Sequence, residues 1–458
     1  MVMSTNLSDF YRTPIFARAP YSCEAGKNGA GFFRFGPDIV CYGECSSGSA
    51  PNVATSADFD ARKATIVSGL EIQLPFDISN VIDDLRKERY FPLLSTGRKG
   101  LTSHPLIRES YYLVRELLPV WFRRHLQIAY FKNWQSIPFP HWPVDFTVDS
   151  LHEEFLQLMM RAHGCDEVPF IWFWPEGASG CLTLTHDVET AAGRDFCSSL
   201  MDINLAHGFR SSFQVVPEGR YEVPESFVNE IRGRGFEFNI HDLNHDGHLF
   251  KEKTEFLRRA KKINEYVKKY GARGFRSGAM YRNQDWYDAF EFSYDMSVPN
   301  VAHLEPQRGG CCTVMPYFIG KILELPLTAT QDYSVFQILN NYSIDLWKEQ
   351  IDQIRRRNGL ISFITHPDYL IESRALATYE SLLDHLRETC DRYRIWEATP
   401  GEVDRWWRAR SEMKLVQDNN GWRIEGPEKD RARIAYAAID GDRVVYTLED
   451  ASLNSPQS

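Results

Sequence analysis

The chain has 458 residues, of which 43% are hydrophobic, 25% are charged and 13% are aromatic. This composition is typical of a well-packed soluble protein and excludes a largely disordered one, while the length predicts two or three domains. The net charge of −10 argues against a general nucleic-acid or anionic-membrane binder, because such proteins need a basic face.

The sequence carries no sign of export or membrane insertion. No apolar run is long enough for a membrane span, and the first residues, MVMSTNLSDFYRTP, lack the basic start and apolar core of a secretory signal. The nine cysteines contain no CxxC pair, so they indicate neither a disulfide framework nor a cysteine zinc site. We therefore expect a cytoplasmic protein, and its oligomeric state stays open.

Residues 1–165 form the first predicted region, an α+β unit of unknown role. Short strand-like pieces such as GFFRFG and DIVCYG come first, and helical patterns follow at 80–90, 108–131 and 150–164. We find no motif in this region that indicates a chemical function.

Residues 166–412 have a different pattern, in which strands and helices alternate. A strand at 180–188 precedes a helix at 191–207, and a strand at 236–241 precedes a long amphipathic helix at 249–271 that ends in glycine. Such alternation predicts a parallel sheet with crossover helices, either a (β/α) barrel or a doubly wound sheet. The tail, 413–458, alternates around NNG and DG turns and predicts a small antiparallel β module.

Polar residues follow several strands of this region at the point where each strand ends. The candidates are His186, Asp187, Glu189, His241, His245, Arg276 and His366. Because the carboxyl ends of parallel strands meet at one edge of a barrel or open sheet, where active sites lie, we expect these side chains to converge.

The spacing of these residues indicates a metal site. His241 and His245 are four apart, so a single helical turn would place both imidazoles on one side, where they could bind one ion. Two histidines and a carboxylate form an open divalent-metal site that leaves positions for water and substrate. Asp187 and Glu189 point the same way in an extended segment, so one could bind the metal while the other accepts a proton from water.

Two further residues complete an apparatus for metal-assisted hydrolysis. Arg276 would fix the orientation and charge of the acid that accepts the proton. His366, from another strand, could protonate a leaving group.

Five segments together resemble a known family. TLTHDVE, HDLNH, FRSGAMYRN, YDMSVPN and ITHPDY occur in the order of the five motifs of the NodB-like polysaccharide deacetylases, carbohydrate esterase family four. The resemblance covers roughly 170–410. It implies an α/β fold in which a distorted (β/α) barrel is flanked by the N-terminal α+β region and the C-terminal β module.

The resemblance also implies a role for each motif residue. These roles are a general base at Asp187, a divalent metal bound by Glu189, His241 and His245, an orienting arginine at Arg276 and a general acid at His366. Zinc is the expected ion, with cobalt or manganese as alternatives. Val188 stands where typical members have a second aspartate, so Asp187 is the alternative carboxylate ligand and Glu189 could instead cap the following helix.

Other polar residues are expected to support the site or line its pocket. They are His186, Asp246, His248, Asp295 and Asp368. For His186 we expect hydrogen bonding below the site rather than metal binding. For Asp246 the alternative is a turn before Gly247, and for Asp368 a cap on the turn after Pro367.

The reaction that the resemblance implies is removal of acetyl groups from an N-acetylated saccharide or polysaccharide precursor. One alternative is hydrolysis of another C–N bond, in a cyclic amide or ureide. The other is a catalytically silent carbohydrate-binding protein. The identity of the saccharide, and whether acetyl is on nitrogen or oxygen, stay open.

Overall fold

The computed structural model describes residues 6–16, 21–24, 29–91, 131–419 and 421–449. The helix predicted at 108–131 lies outside these ranges, apart from its last residue. The described residues contain the α-helices α1 Asn6–Tyr11, α2 Ile78–Arg86, α3 Thr147–His163, α4 Ala191–Ala206, α5 Glu225–Gly233, α6 Lys253–Tyr270, α7 Asp345–Arg355, α8 Ser373–Tyr393 and α9 Pro400–Glu412.

The strands of the same residues form five sheets. They are β1 Tyr21–Cys23, β2 Gly31–Arg34, β3 Val40–Gly43, β4 Ile66–Ser68, β5 Glu71–Leu74, β6 Glu167–Ile171, β7 Cys181–Val188, β8 Ser212–Val215, β9 Glu237–His241, β10 Gly274–Arg276, β11 Tyr294–Asp295, β12 Tyr317–Ile319, β13 Ile322–Glu324, β14 Leu360–Thr365, β15 Trp396–Glu397, β16 Lys414–Asp418, β17 Gly421–Glu425, β18 Ile434–Asp440 and β19 Arg443–Leu448.

The largest sheet is the predicted parallel one. Its order is β12-β13-β11-β10-β9-β8-β7-β14, and β15 pairs with the first residues of β7. All pairs are parallel except β12 with β13. The predicted alternation of strands and helices is therefore confirmed from β7 to β10, where α4, α5 and α6 make the crossovers.

The two ends of this sheet meet. Leu327 N donates to Val298 O at 3.0 Å and Ala329 N donates to Ser362 O at 3.1 Å, so the segment after β13 joins the β11 side to β14. This closure, with β7 buried along its whole length, is the geometry of a distorted barrel. The predicted fold class is confirmed, and the ends of β7, β9, β10 and β14 share one rim.

The tail forms the two predicted hairpins, β16–β17 and β18–β19. Strand β18 also pairs antiparallel with β6, so the tail shares a sheet with residues just before the barrel. One apolar cluster runs from the N-terminal region through β6 and α9 into the tail, while a second fills the space around the barrel strands. No helix in the described part of the chain is both long and apolar enough to cross a membrane.

Candidate active site

Strand β7 carries both predicted acids to the rim. Asp187 is 3% exposed, and the strand end is held by Tyr221, whose hydroxyl donates to Val188 O. Glu189 follows at the first residue after the strand. It does not cap α4, because the side chain of Thr190 takes that place by accepting from Gly193 N at 3.0 Å. Both acids are thus left to face the rim.

Strand β9 ends at His241, and the chain then turns in a loop rather than in the predicted helical turn. Asp242 and His245 both have left-handed backbones, with φ of 56° and 54°. This loop still brings the imidazoles of His241 and His245 together, with ring centroids 4.9 Å apart. The expectation of a helical turn was wrong because a spacing of four residues is equally compatible with a tight loop.

Glu189, His241 and His245 form a compact donor cluster. Glu189 Oε1 lies 2.8 Å from His245 Nε2 and 3.5 Å from His241 Nε2. One ligand atom from each residue falls within 4.8 Å of the others. Asp187 Oδ2 lies 3.7 Å from His241 Nε2, beside the cluster.

The donor set of this cluster fits a divalent cation. His241 Nδ1 is 3.1 Å from Arg276 O, a bond in which the imidazole donates, so the lone pair of its Nε2 faces the cluster. His245 Nε2 is buried and, among the described residues, has no partner in hydrogen-bond geometry, although Glu189 is close. Two imidazole nitrogens and a carboxylate oxygen are ligands that zinc, cobalt and manganese accept.

Arg276 is the buried partner of Asp187. Its Nη1 donates to Asp187 Oδ1 at 2.7 Å and to Thr185 Oγ1 at 2.9 Å, and its Nε donates to Met296 O at 2.9 Å. Burial alone would raise the pKa of Asp187, but Arg276 and the nearby histidines outweigh it and lower that pKa. The carboxylate is therefore charged at neutral pH.

His366 directly follows β14 and borders the cluster at Glu189. Its Nδ1 is 2.7 Å from Asp332 Oδ1, its backbone N donates to Asp332 Oδ2 at 2.7 Å, and its Nε2 is 3.5 Å from Glu189 Oε1. Burial opposes the charged imidazole, yet Asp332 and Glu189 hold the pKa of His366 well above its usual value. These two carboxylates therefore favour the protonated imidazole.

Asp332 was absent from the sequence-based candidates. It lies in a connection between β13 and α7, eight residues after the last strand residue, and it belongs to none of the five motifs. Only the folded chain brings it to His366.

Two of the expected supporting residues lie beneath the site. His186 is fully buried, with Nδ1 2.7 Å from Thr365 Oγ1 and Nε2 2.9 Å from Asn204 Nδ2, and burial lowers its pKa to about 3. Asp295 accepts from Ser297 Oγ at 2.7 Å, and that hydroxyl in turn accepts from Ser277 N at 2.9 Å. Asp295 thus supports the backbone that follows Arg276.

The remaining three candidates differ in position. Asp246 pairs with Arg259 of α6 at 2.7 and 2.8 Å, and this arrangement lowers its pKa to about 2 in spite of partial burial. His248 is half-exposed beside Asp246, at 3.6 Å. Asp368 lies near the site: burial and the neighbouring Glu189 charge raise its pKa against the effect of His366. Asp246 and His248 therefore lie together in the loop after His241, while Asp368 lies close to His366 and Glu189.

Several solved structures are similar to this chain over about half of its length. A protein described as a candidate polysaccharide deacetylase from Mycobacterium smegmatis is 16% identical, with 52% of this chain and 94% of that chain covered at a TM-score of 0.42. PuuE allantoinase is 11% identical, with 52% and 92% covered at a TM-score of 0.42. The peptidoglycan deacetylase PdaC from Bacillus subtilis is 12% identical, with 52% and 95% covered at a TM-score of 0.32.

These structures include polysaccharide deacetylases, the family whose motifs the sequence resembles. No protein-family model matches the chain, and no curated protein matches it. At such identities and TM-scores, a functional assignment has to come from the site of this chain itself.

Proposed function

We propose that this protein is a metal-dependent hydrolase of the polysaccharide deacetylase type, which removes acetyl groups from an N-acetylated saccharide. The observation that carries the proposal is the order of groups across the rim. An acid held by Arg276 lies beside His241 of the Glu189–His241–His245 cluster, and an imidazole held by Asp332 lies beside Glu189 of the same cluster. Hydrolysis of an amide takes one proton from the attacking water and delivers one to the departing amine, and these two groups are available for the two transfers.

Asp187 is the proposed proton acceptor. Arg276 occupies its Oδ1 at 2.7 Å, while Oδ2 faces His241 at 3.7 Å. The arginine fixes the carboxylate and keeps it ionised, so it can take a proton from a water molecule at the cluster. A divalent ion bound there, for which we propose zinc, would lower the pKa of that water and polarise the acetyl carbonyl.

His366 is the proposed proton donor. Its Nδ1 is occupied by Asp332, so only Nε2, which faces Glu189 at 3.5 Å, is left for the substrate. When the C–N bond breaks, the imidazolium can pass its Nε2 proton to the departing amine. Asp332 orients the ring and keeps it protonated, and thus acts through His366 rather than on the substrate.

The proposal is tested by acetate release from a panel of N-acetylated sugars and nucleotide sugars, with zinc, cobalt and manganese added separately. Asp187→Asn should abolish release while the bound metal remains. The matched control is Asp195→Asn, an exposed acid that pairs with Arg194 on α4 and should leave release unchanged.

The other outcomes of this test point to other functions. If the protein bound one metal ion but released no acetate from any member of the panel, hydrolysis of a cyclic amide or ureide would be favoured. A metal-free protein that binds saccharide would favour a catalytically silent binder and would contradict the proposal.

A further inference from the structure

The segment 276–282, which we call the rim segment, touches both metal-binding histidines. Arg276 O accepts from His241 Nδ1 at 3.1 Å and from Asp242 N at 2.8 Å. Gly278 lies so close to the histidine loop that a Cβ there would be 2.5 Å from Asp242 Oδ2 and 3.0 Å from His245 Cδ2. The position of the rim segment therefore determines the position of the histidine loop.

The rim segment is strained. Ala279 and Met280 are consecutive non-glycine residues with left-handed backbones, at φ of 54° and 53°. Such residues keep this conformation only where surrounding contacts impose it. A contact outside the segment must therefore hold it against the histidines.

One such contact comes from the N-terminal region, in addition to the bonds that Ser297 and Gln307 make with the backbone of the segment. Glu88, two residues after α2, is 7% exposed. Its carboxylate accepts hydrogen bonds from Arg282 Nε at 2.6 Å and from Arg282 Nη2. Gly310 N also donates to Glu88 Oε1 at 2.6 Å. Arg282 is fully buried in its side chain, and its Nη1 donates back to Met280 O at 2.7 Å, within the strained part of the rim segment.

Glu88 itself has an unusual backbone, with φ of 57°. Its neighbours add further contacts to the same part of the barrel: Arg86 O accepts from Gln284 Nε2 at 2.8 Å, and Tyr90 OH donates to Gly310 O at 2.5 Å. The end of α2 is thus built into the wall behind the rim segment.

We propose that Glu88 is a positioning residue for the metal site, so that the N-terminal region has a role in organising the barrel's active site. Without the Glu88 carboxylate, the buried Arg282 guanidinium loses its counter-charge and has to move towards water. That movement would release Met280, relax the left-handed residues and withdraw Gly278 from His245. The expected effect on metal binding rests on the proposed function. The expected effect on the position of the rim segment rests only on the contacts described above.

The test compares three variants of the full chain. Glu88→Gln removes the charge with little change in size, and Glu88→Asp keeps the charge but is too short to reach both Arg282 and Gly310. The matched control is Asp149→Asn: Asp149 is another buried acid of the N-terminal region that bonds to the barrel, accepting from Thr313 Oγ1 at 2.7 Å and Val314 N at 3.0 Å.

Two readouts are measured. The first is zinc affinity by chelator competition, and the second is amide hydrogen exchange of the metal-free protein over 241–246 and 276–282. We expect Glu88→Gln to weaken zinc binding roughly 10–100-fold, as loss of a supporting residue does at other metal sites, and to speed exchange in both segments. Glu88→Asp should show smaller changes in the same direction, and Asp149→Asn should change neither readout.

The inference would be overturned if Glu88→Gln bound zinc with the same affinity as the wild type and showed the same amide hydrogen exchange. If that variant does not fold, Glu88→Asp decides in the same way. A wild-type protein that binds no zinc would instead overturn the proposed function, and the exchange measurement would still decide whether Glu88 positions the rim segment.

Discussion

Asp187 faces Arg276 and His366 faces Asp332, each pair 2.7 Å apart, whereas Asp295 and Glu324 face each other from the neighbouring strands β11 and β13. All these groups are buried. At the proposed site, the partner charges outweigh burial, so that the pKa of Asp187 is lowered and that of His366 is raised. In the Asp295–Glu324 pair, burial raises the pKa of both acids. The charge of Asp295 raises that of Glu324 further, well above its usual value, whereas the hydrogen bond from Glu324 lowers that of Asp295 in part.

The difference separates a reactive arrangement from a structural one. Two buried acids in contact can keep one proton between them, and this pair then behaves as a hydrogen bond that supports the strands. A buried acid opposite an arginine holds its charge. Four substitutions test whether this distinction is correct.

Arg276→Met should have the largest effect. It leaves the Asp187 carboxylate buried without its counter-charge, so the pKa of Asp187 rises and the proton acceptor is lost. We expect turnover to fall roughly 10²–10⁴-fold and the free energy of unfolding to fall by about 3–5 kcal/mol. Steady-state kinetics and chemical denaturation measure both. Near-wild-type turnover would show that Asp187 does not act as the base.

Asp332→Asn should change the dependence of kcat on pH. In the folded protein the pKa of His366 is raised, so the His366–Asp332 pair stabilises the fold fully below the unfolded imidazole pKa and loses that contribution as pH rises through the folded value. The variant lowers the pKa of His366, so we expect the alkaline limb of kcat to move to lower pH. Asp384→Asn, an exposed acid beside His207, is the control. An unmoved alkaline limb would exclude His366 as the acid.

Gly278→Ala should weaken the metal site without removing a charge. The added Cβ would be 2.5 Å from Asp242 Oδ2 and 3.0 Å from His245 Cδ2, so the histidine loop has to shift. We expect a loss of zinc affinity of roughly 10-fold, measured by chelator competition. Gly233→Ala, where a Cβ would meet nothing within 4 Å, is the matched control. Equal affinities in the two variants would show that the rim segment does not hold the histidines.

Glu324→Gln should have the smallest effect, because an amide can replace the protonated carboxyl. The pKa of Glu324 is raised in the fold, so wild-type stability falls as pH rises above the unfolded glutamate pKa of about 4.3. The variant lacks this dependence, and its stability relative to wild type should increase from pH 5 to pH 8, with turnover unchanged. Chemical denaturation at both pH values measures the difference in free energy of unfolding between the variant and the wild type. If this difference became less favourable to the variant from pH 5 to pH 8, Glu324 would be ionised in the folded protein.

The barrel was largely predictable, because each strand is a short apolar run and each helix has a clear end, such as Gly271 after α6. The convergence of the motif residues was predictable for the same reason: parallel strands present their carboxyl ends at one edge. Asp332 and Glu88 were not predictable, since Asp332 contacts His366, and Glu88 contacts Arg282, only after distant parts of the sequence fold together. The histidine loop was mispredicted because a spacing of four residues fits a tight loop with left-handed residues as well as it fits a helical turn.

The proposed function depends on the binding of one cation at the rim, between two imidazoles of a single loop and the carboxylate after β7. A crystal structure of the zinc-soaked protein, with anomalous data collected on both sides of the zinc edge, tests it directly. The account predicts one strong peak per chain, about 2.0–2.2 Å from His241 Nε2, His245 Nε2 and a Glu189 oxygen. No peak there, or a peak retained in His241→Ala/His245→Ala, would contradict it.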